Sequence, residues 1–350
     1  MQTRSLSLDT GWEVAQRRPA DLDLFQKSGG EELWIPAEVP GHVHRDLVRA
    51  GVIQDPFHRL GEIGCRWVDE ADWTWRTTFD ISADELGARG NGRHFLDFQG
   101  IDTLGAVFVN GRRVAESGNY FVPVRADVTE VLHAGTNEIR VEIDSSLVAG
   151  RRRAADYLGD GTSERGSQHY FNFPPRAFVR KPQYMFGWDW GPELVSAGIH
   201  GSVELTTVPV AEIVDWRMKT RFTGPDTVDI DVQVTVTVHD PDAVLEVGAA
   251  LYASGDNTPS APIPAGIGTH TIDLPTIVGQ RVERWWPNGM GAQRRYLLNL
   301  RVRPIDPESG FSGYVAHTGY SIGFREIELL READPHGGGE GFRFRVNGRD

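Results

Sequence analysis

The 350 residues carry a formal charge of −13, with 39% hydrophobic, 24% charged and 10% aromatic side chains. That balance excludes a disordered tail or a fibre, and the chain is long enough to bury a core without disulfide or metal staples. The acidic excess speaks against a nucleic-acid partner, because phosphate binding needs clustered Lys and Arg; between Arg221 and Arg281 no Lys or Arg occurs, while eight Asp or Glu do.

The N-terminus lacks the apolar run of a signal peptide, and nowhere do about 18 consecutive apolar residues occur, so a cytoplasmic protein with no membrane partner is predicted. Forty Gly and 20 Pro favour many short strands over long helices. Val43 to Ala50 reads as a short helix that Gly51 ends. Short β-rich runs follow at Trp73 to Phe79, Phe95 to Phe98 and Ala106 to Val109, the last closed by Asn110-Gly111, a hairpin signal. Further runs lie at Ile139 to Ile143 and Val203 to Leu205. Strict alternation then appears at Ile230, Val232, Val234, Val236 and Val238, again at Tyr296, Leu298, Leu300 and Val302, and finally at Phe342, Phe344 and Val346.

Antiparallel strands with one polar face must bury the other on a second sheet, so two sandwich-like units are predicted, with a boundary near 208 to 212 where Pro209 interrupts. Residues 331 to 340 have the composition of a linker. The strand after them has no sheet of its own to join, which suggests a unit cut short.

Chemistry-bearing residues are few. The segment Arg180 to Pro192 sets Trp188 and Trp190 around Asp189 between Gly and Pro breakers, predicting a loop. Flat aromatic surface beside a hydrogen-bonding carboxylate suits the C–H face and hydroxyl rim of a sugar, although the same residues could equally plug a sandwich end. Glycoside hydrolysis needs two carboxyl groups at a set spacing, and no pair announces itself. Asn137-Glu138 reads as a turn feeding an exposed strand. His42 and His44 are two apart at a turn entering a helix, unlike the i, i+4 pairs of helical metal sites, so capping or backbone hydrogen bonding is predicted for them. His169 and His200 stand alone. Cys65, the single cysteine, excludes an internal disulfide and a Cys-based zinc site and reads as a small filler. Arg151 to Arg153 reads as a solvated loop. No nucleophile elbow, P-loop or dinucleotide fingerprint is present, so neither cofactor nor metal is predicted.

Several separated motifs nevertheless occur in a telling order: Trp34 to Leu47, Ile53 to Arg59, Arg66-Trp67-Val68 with Asp72-Trp73, Phe98 to Thr103, Val109-Asn110-Gly111, Arg180 to Pro192, Trp285 to Gly289 and Ile322 to Arg325. Together they resemble the N-terminal part of glycoside hydrolase family 2 β-mannosidases, over essentially the whole chain. Gly61-Glu62, Tyr120 to Pro123 and Met185 depart from the family's usual pattern.

The resemblance implies an all-β chain: a jelly-roll, galactose-binding-like β-sandwich over 1–208, an immunoglobulin-like β-sandwich over 209–331, and over 332–350 a linker and the first strand of a (β/α)₈ barrel absent from this chain. It implies that the parent is a retaining exo-β-mannosidase whose two catalytic glutamates lie on later barrel strands, so this chain holds no catalytic residue and is expected to be inactive alone. Asp189 is then a substrate contact, Trp188 and Trp190 shape its pocket, and a mannose-containing oligosaccharide or glycoside and the absent barrel are the partners. Trp285, Trp286 and Arg325 are expected to serve packing between domains. A free-standing carbohydrate-binding module or lectin is the alternative.

Overall fold

The computed structural model describes residues 3–18, 33–87, 92–158, 174–252, 259–305 and 313–350. His169 lies outside them. The chain divides into two compact units, Arg4–Thr207 and, together with the extreme N-terminus, Val208–Asp350. Both are built from antiparallel strands, and among the described residues no helix is long and apolar enough to cross a membrane.

In the first unit a six-stranded sheet runs in the order Ile35–Pro36, Glu13–Arg18, Asp72–Ile81, Gly135–Asp144, Leu104–Val109, Arg112–Ser117. A four-stranded sheet runs Arg4–Ser7, Val203–Val208, Arg93–Phe98, Val124–Asp127. Alternating burial along Arg93–Phe98 and Leu104–Val109 turns one side of each strand inward. One apolar cluster results, in which Trp73, Trp75, Val107 and Ile143 from the larger sheet join Leu96, Phe98 and Val203 from the smaller. Asn110 and Gly111 both have positive φ, 50° and 79°, and bring Val109 opposite Arg112, which is the two-residue hairpin turn that their sequence predicts.

The second unit is also a two-sheet sandwich. One sheet holds Ala211–Gly224, Thr227–Val238 and Gly268–Asp273, with Ile277–Arg281 also pairing the long central strand. The other runs Ser260–Pro262, Leu245–Tyr252, Tyr296–Pro304, Ala316–Ile322. The alternating valines of Thr227–Val238 and Leu298, Leu300 and Val302 of Tyr296–Pro304 share a single core.

Two expectations need correction. The strand over Phe342, Phe344 and Val346 is not partnerless: Arg343–Val346 pairs with Ile327–Leu330 in a two-stranded hairpin. The intervening linker is itself folded back, with the Asp334 amide donating to the Gly339 carbonyl at 2.9 Å. Arg151 to Arg153 belong to a helix, Ser146–Leu158, rather than a loop. That helix escapes a reading based on alternation because its apolar positions do not recur every second residue, and three consecutive arginines at its middle look like solvated surface.

Candidate functional site

The aromatic segment predicted as a loop is a short hairpin. Gln183–Met185 make one 3₁₀ turn, then Phe186–Trp188 pairs antiparallel with Gly191–Glu193, leaving Asp189 and Trp190 at the tip. Gly187 permits the sharp course of the first strand with φ 94°. Trp190 is 68% exposed, Asp189 is exposed, and Trp188 is half-buried with the Arg176 guanidinium 5.6 Å from its ring centre. The Tyr184 ring lies 5.4 Å from that of Trp190. The tip therefore offers an exposed ring beside an exposed carboxylate, and does not plug the sandwich.

Two cavities of the same unit, of about 570 Å³ beside His42, Phe57 and Leu194 and of about 630 Å³ beside Arg17, Arg152 and Glu142, are lined by residues other than 188 to 190. The hairpin brings the three predicted residues together, Asp189 and Trp190 at its exposed tip and Trp188 half-buried in the strand before them.

Beneath the hairpin lies a polar cluster that sequence reasoning missed. The Lys181 side chain is completely buried, and its Nζ donates to Asp102 Oδ1 and to the Ser196 carbonyl, each at 2.5 Å. Ser196 Oγ donates to the other carboxylate oxygen of Asp102 at 2.7 Å, and Thr103 Oγ1 also donates to Oδ1. Asp102 is itself fixed by reciprocal backbone bonds with Gly198, of 2.8 and 3.2 Å. Burial pushes the Lys181 ammonium below its ordinary value, while the Asp102 carboxylate pulls the other way. Leu147, Val179, Phe186 and Val195 form a small separate apolar core. Asp102 and Lys181 both lie inside motifs singled out in the sequence, but 79 residues separate them and nothing local to either says that they meet.

Neighbouring residues sharpen the electrostatics. His42 occupies the N-cap of Val43–Arg49 without a side-chain capping bond, so the capping predicted for it is absent. Burial, then His44, pushes His42 down to about 4. His44 Nε2 lies 3.2 Å from Asp69 Oδ1 with both side chains buried, an ion-pair distance whose alignment is poor for a hydrogen bond. It too binds no neighbouring backbone through its ring. Asp46, on the same helix, accepts from the Glu38 amide at 3.1 Å and from Arg49 Nη1 at 3.0 Å, yet burial still pushes it up to about 6. Burial also raises Glu193, in the second hairpin strand. His200 stacks on Tyr120, ring centres 3.9 Å apart, and its Nε2 lies 3.1 Å from the Tyr120 carbonyl. Cys65 is buried, as a filler should be.

Asn137 lies inside the strand Gly135–Asp144 and is fully buried. Its Nδ2 donates to the carbonyls of His133 and Gly135, and its Oδ1 accepts from the His133 amide and from Asn110 Nδ2. It pins two turns together, and Glu138 beside it faces solvent. In the second unit Trp285 and Trp286 are half-buried, with the guanidinium groups of Arg325 and Arg349 4.8 and 4.9 Å from their ring centres. No group of three or more His, Cys, Asp or Glu placed to hold a metal occurs among the described residues.

Comparison with known proteins gives this geometry its context. Residues 12–201 match the family described as glycosyl hydrolase 2 galactose-binding domain-like. Beta-mannosidase B of Aspergillus terreus is 31% identical over 347 residues, an alignment that takes in 98% of this chain and 37% of that protein. A probable beta-mannosidase of Caenorhabditis elegans is 29% identical, over 88% of this chain and 34% of the relative. The crystal structure of the beta-D-mannosidase from Dictyoglomus thermophilum superposes with a TM-score of 0.80 at 27% identity, covering 99% of this chain and 39% of that one. The chain thus spans a little over a third of the length of these relatives.

Proposed function

On the premise that this chain belongs to glycoside hydrolase family 2, we propose that it is the β-sandwich region of a retaining exo-β-mannosidase and presents a substrate-contact hairpin to terminal β-linked mannose. The observation that carries this reading is the hairpin itself: an exposed carboxylate and an exposed indole held at a fixed tip, in a chain about 30% identical to β-mannosidases along nearly its whole length. In this reading Asp189 accepts hydrogen bonds from sugar hydroxyls, Trp190 offers its face to the C–H groups, and Trp188, flanked by Arg176, supports the strand that carries them. Bond cleavage falls to a pair of carboxyl groups in the part of the relatives' length that this chain does not span, one acting as nucleophile and the other as acid and then base.

Asp189→Ala in the enzyme extended to the length of its relatives tests the assignment. A charged hydrogen bond to a sugar hydroxyl contributes about 1.5–3 kcal/mol, so KM for an aryl β-mannoside should rise roughly 10- to 100-fold. An unchanged kcat/KM would remove Asp189 from the site. Calorimetry of this chain alone with methyl β-mannoside separates the lectin alternative: binding that Asp189→Ala abolishes favours it, and no binding favours an enzyme region that needs its other walls.

A further inference from the structure

The hairpin that bears Asp189 is poorly held by its own strands. Only two register pairs join them, Phe186 with Glu193 and Trp188 with Gly191, and an isolated two-stranded hairpin is marginal at best in water. Its two ends are treated quite differently. Lys181 immediately precedes the excursion 182–195 and Ser196 immediately follows it, and both converge on one carboxylate: Lys181 Nζ on Asp102 Oδ1 and Ser196 Oγ on Asp102 Oδ2. Lys181 Nζ also donates to the Ser196 carbonyl, so the two ends are bonded to each other as well as to Asp102. The ion pair is more deeply buried than any other joining a Lys or Arg to a carboxylate among the described residues, with side chains 0% and 2% exposed.

A buried ion pair is a poor way to gain stability, because the loss of hydration offsets most of the attraction and an apolar pair of similar volume often does as well. What such a pair supplies is directional geometry: the carboxylate accepts from defined directions and tolerates little displacement of its donors. We infer that the Asp102–Lys181–Ser196 cluster is a positioning clamp, which closes the base of the 182–195 excursion and thereby fixes where Asp189 and Trp190 stand. Lys181 and Asp102 touch no sugar in this scheme. They are positioning residues acting through the hairpin, and the sugar-contact part of the inference rests on the function proposed above.

The decisive variant replaces both charges, Asp102→Leu with Lys181→Met, which leaves no orphaned buried ion. If the cluster serves only stability, this pair packs as an apolar substitute and everything downstream is native. If it is a clamp, the thermal midpoint and far-ultraviolet spectrum stay close to native while amide hydrogen exchange across 183–195 accelerates at least about tenfold, a local opening that leaves the rest of the unit protected. Acrylamide quenching of tryptophan emission, read against Trp190→Phe, should rise in parallel. In the enzyme extended to the length of its relatives the same double variant should raise KM for an aryl β-mannoside about tenfold or more, with a smaller change in kcat. Native-like exchange across 183–195 in the folded double variant overturns the clamp. Should that variant not fold, Ser196→Ala decides, since it removes the Oγ bonds and leaves the ion pair: exchange across 183–195 must rise, and unchanged exchange overturns the proposal. If the hairpin loosens as expected but Asp189→Ala leaves KM untouched, the clamp stands and the proposed sugar contact falls.

Discussion

Two small hairpins stand apart from the sandwich sheets, and they are held in opposite ways. The hairpin Phe186–Glu193 in the first unit has two register pairs and a base locked by buried charge and a four-residue apolar cluster. The hairpin of Ile327–Leu330 with Arg343–Val346 in the second unit has four register pairs. Its large apolar side chains nonetheless stay in water, Leu329 at 47% and Phe344 at 57% exposure. Its ion pairs are at the surface: Arg343 with Glu332 at 2.9 Å and Arg345 with Asp350 at 2.6 Å. One partly buried polar anchor helps it, Asn347, whose Nδ2 donates to the Trp285 carbonyl and whose Oδ1 accepts from the Glu326 amide. Strand length alone does not rank the two. The shorter hairpin has the base whose opposite charges are paired away from water.

The largest expected difference follows from removing one partner on each side of this comparison. Lys181→Met leaves the Asp102 carboxylate buried with only hydroxyl donors, and breaking a buried pair this way costs about 3–5 kcal/mol. Urea denaturation of the first unit should register that loss as a lower midpoint. A loss under about 1 kcal/mol would mean that water reaches Asp102 and that the cluster is not sealed.

How much of this is legible in the sequence depends on the range of the interaction. Alternation at Ile230 to Val238, the helix at Val43 with its Gly51 stop, and the Asn110-Gly111 turn are written locally, because each depends on neighbours a few residues away, and each is present in the structure. The tip residues Trp188, Asp189 and Trp190 stand out through their composition and a family resemblance. Their hairpin, as opposed to a loop, is not legible, since Gly187 and Gly191 argue against strand and the bonds that join residues 181 and 196 to Asp102 are long-range. Asn137 is legible only in part: its bonds to His133 and Gly135 are local, but its burial and its bond to Asn110, 27 positions away, are not. The Arg343–Val346 strand looks orphaned in the sequence because its partner, Ile327–Leu330, has no alternating pattern and stays largely exposed.

A second, smaller contrast concerns pH. His42 and Asp46 lie at either end of the first turn of one helix, close to the clamp, and oppose each other. Asp46 has its folded value raised to about 6, so the folded state holds the extra proton between roughly pH 4 and 6, and this group makes stability fall as pH rises through that window. His42 has its folded value lowered to about 4, so the unfolded state binds the extra proton between about 4 and 6.5, and this group makes stability rise with pH. The slopes nearly cancel. The charges acting on His42 include His44, Arg45, Asp102 and Lys181, so the balance belongs to the clamp's surroundings and not to the helix alone. Asp46→Asn should unmask the histidine: stability measured by urea at pH 6.5 and pH 4.5 should then fall on acidification by about 2 kcal/mol, where the native chain changes little. A native-like pH profile in Asp46→Asn would mean that His42 is as hydrated folded as unfolded.

The smallest effect belongs to the surface hairpin. Arg345 holds the Asp350 carboxyl below its ordinary range through a direct hydrogen bond, so whatever that pair adds is present above the unfolded carboxyl value and disappears only as pH falls beneath it. Both groups are bathed in solvent, where exposed ion pairs contribute little and salt screens what remains. Arg345→Ala should therefore leave the unfolding midpoint of the second unit within experimental scatter at neutral pH, and high salt should not change that result. Asn347→Ala, which strips the polar anchor from the same hairpin, should instead raise amide exchange across 327–330 and 343–346. If the two substitutions behave alike, exposed charge contributes more to this hairpin than its solvation allows, and the distinction between the two hairpins would have to rest on strand pairing instead of on what is buried at the base.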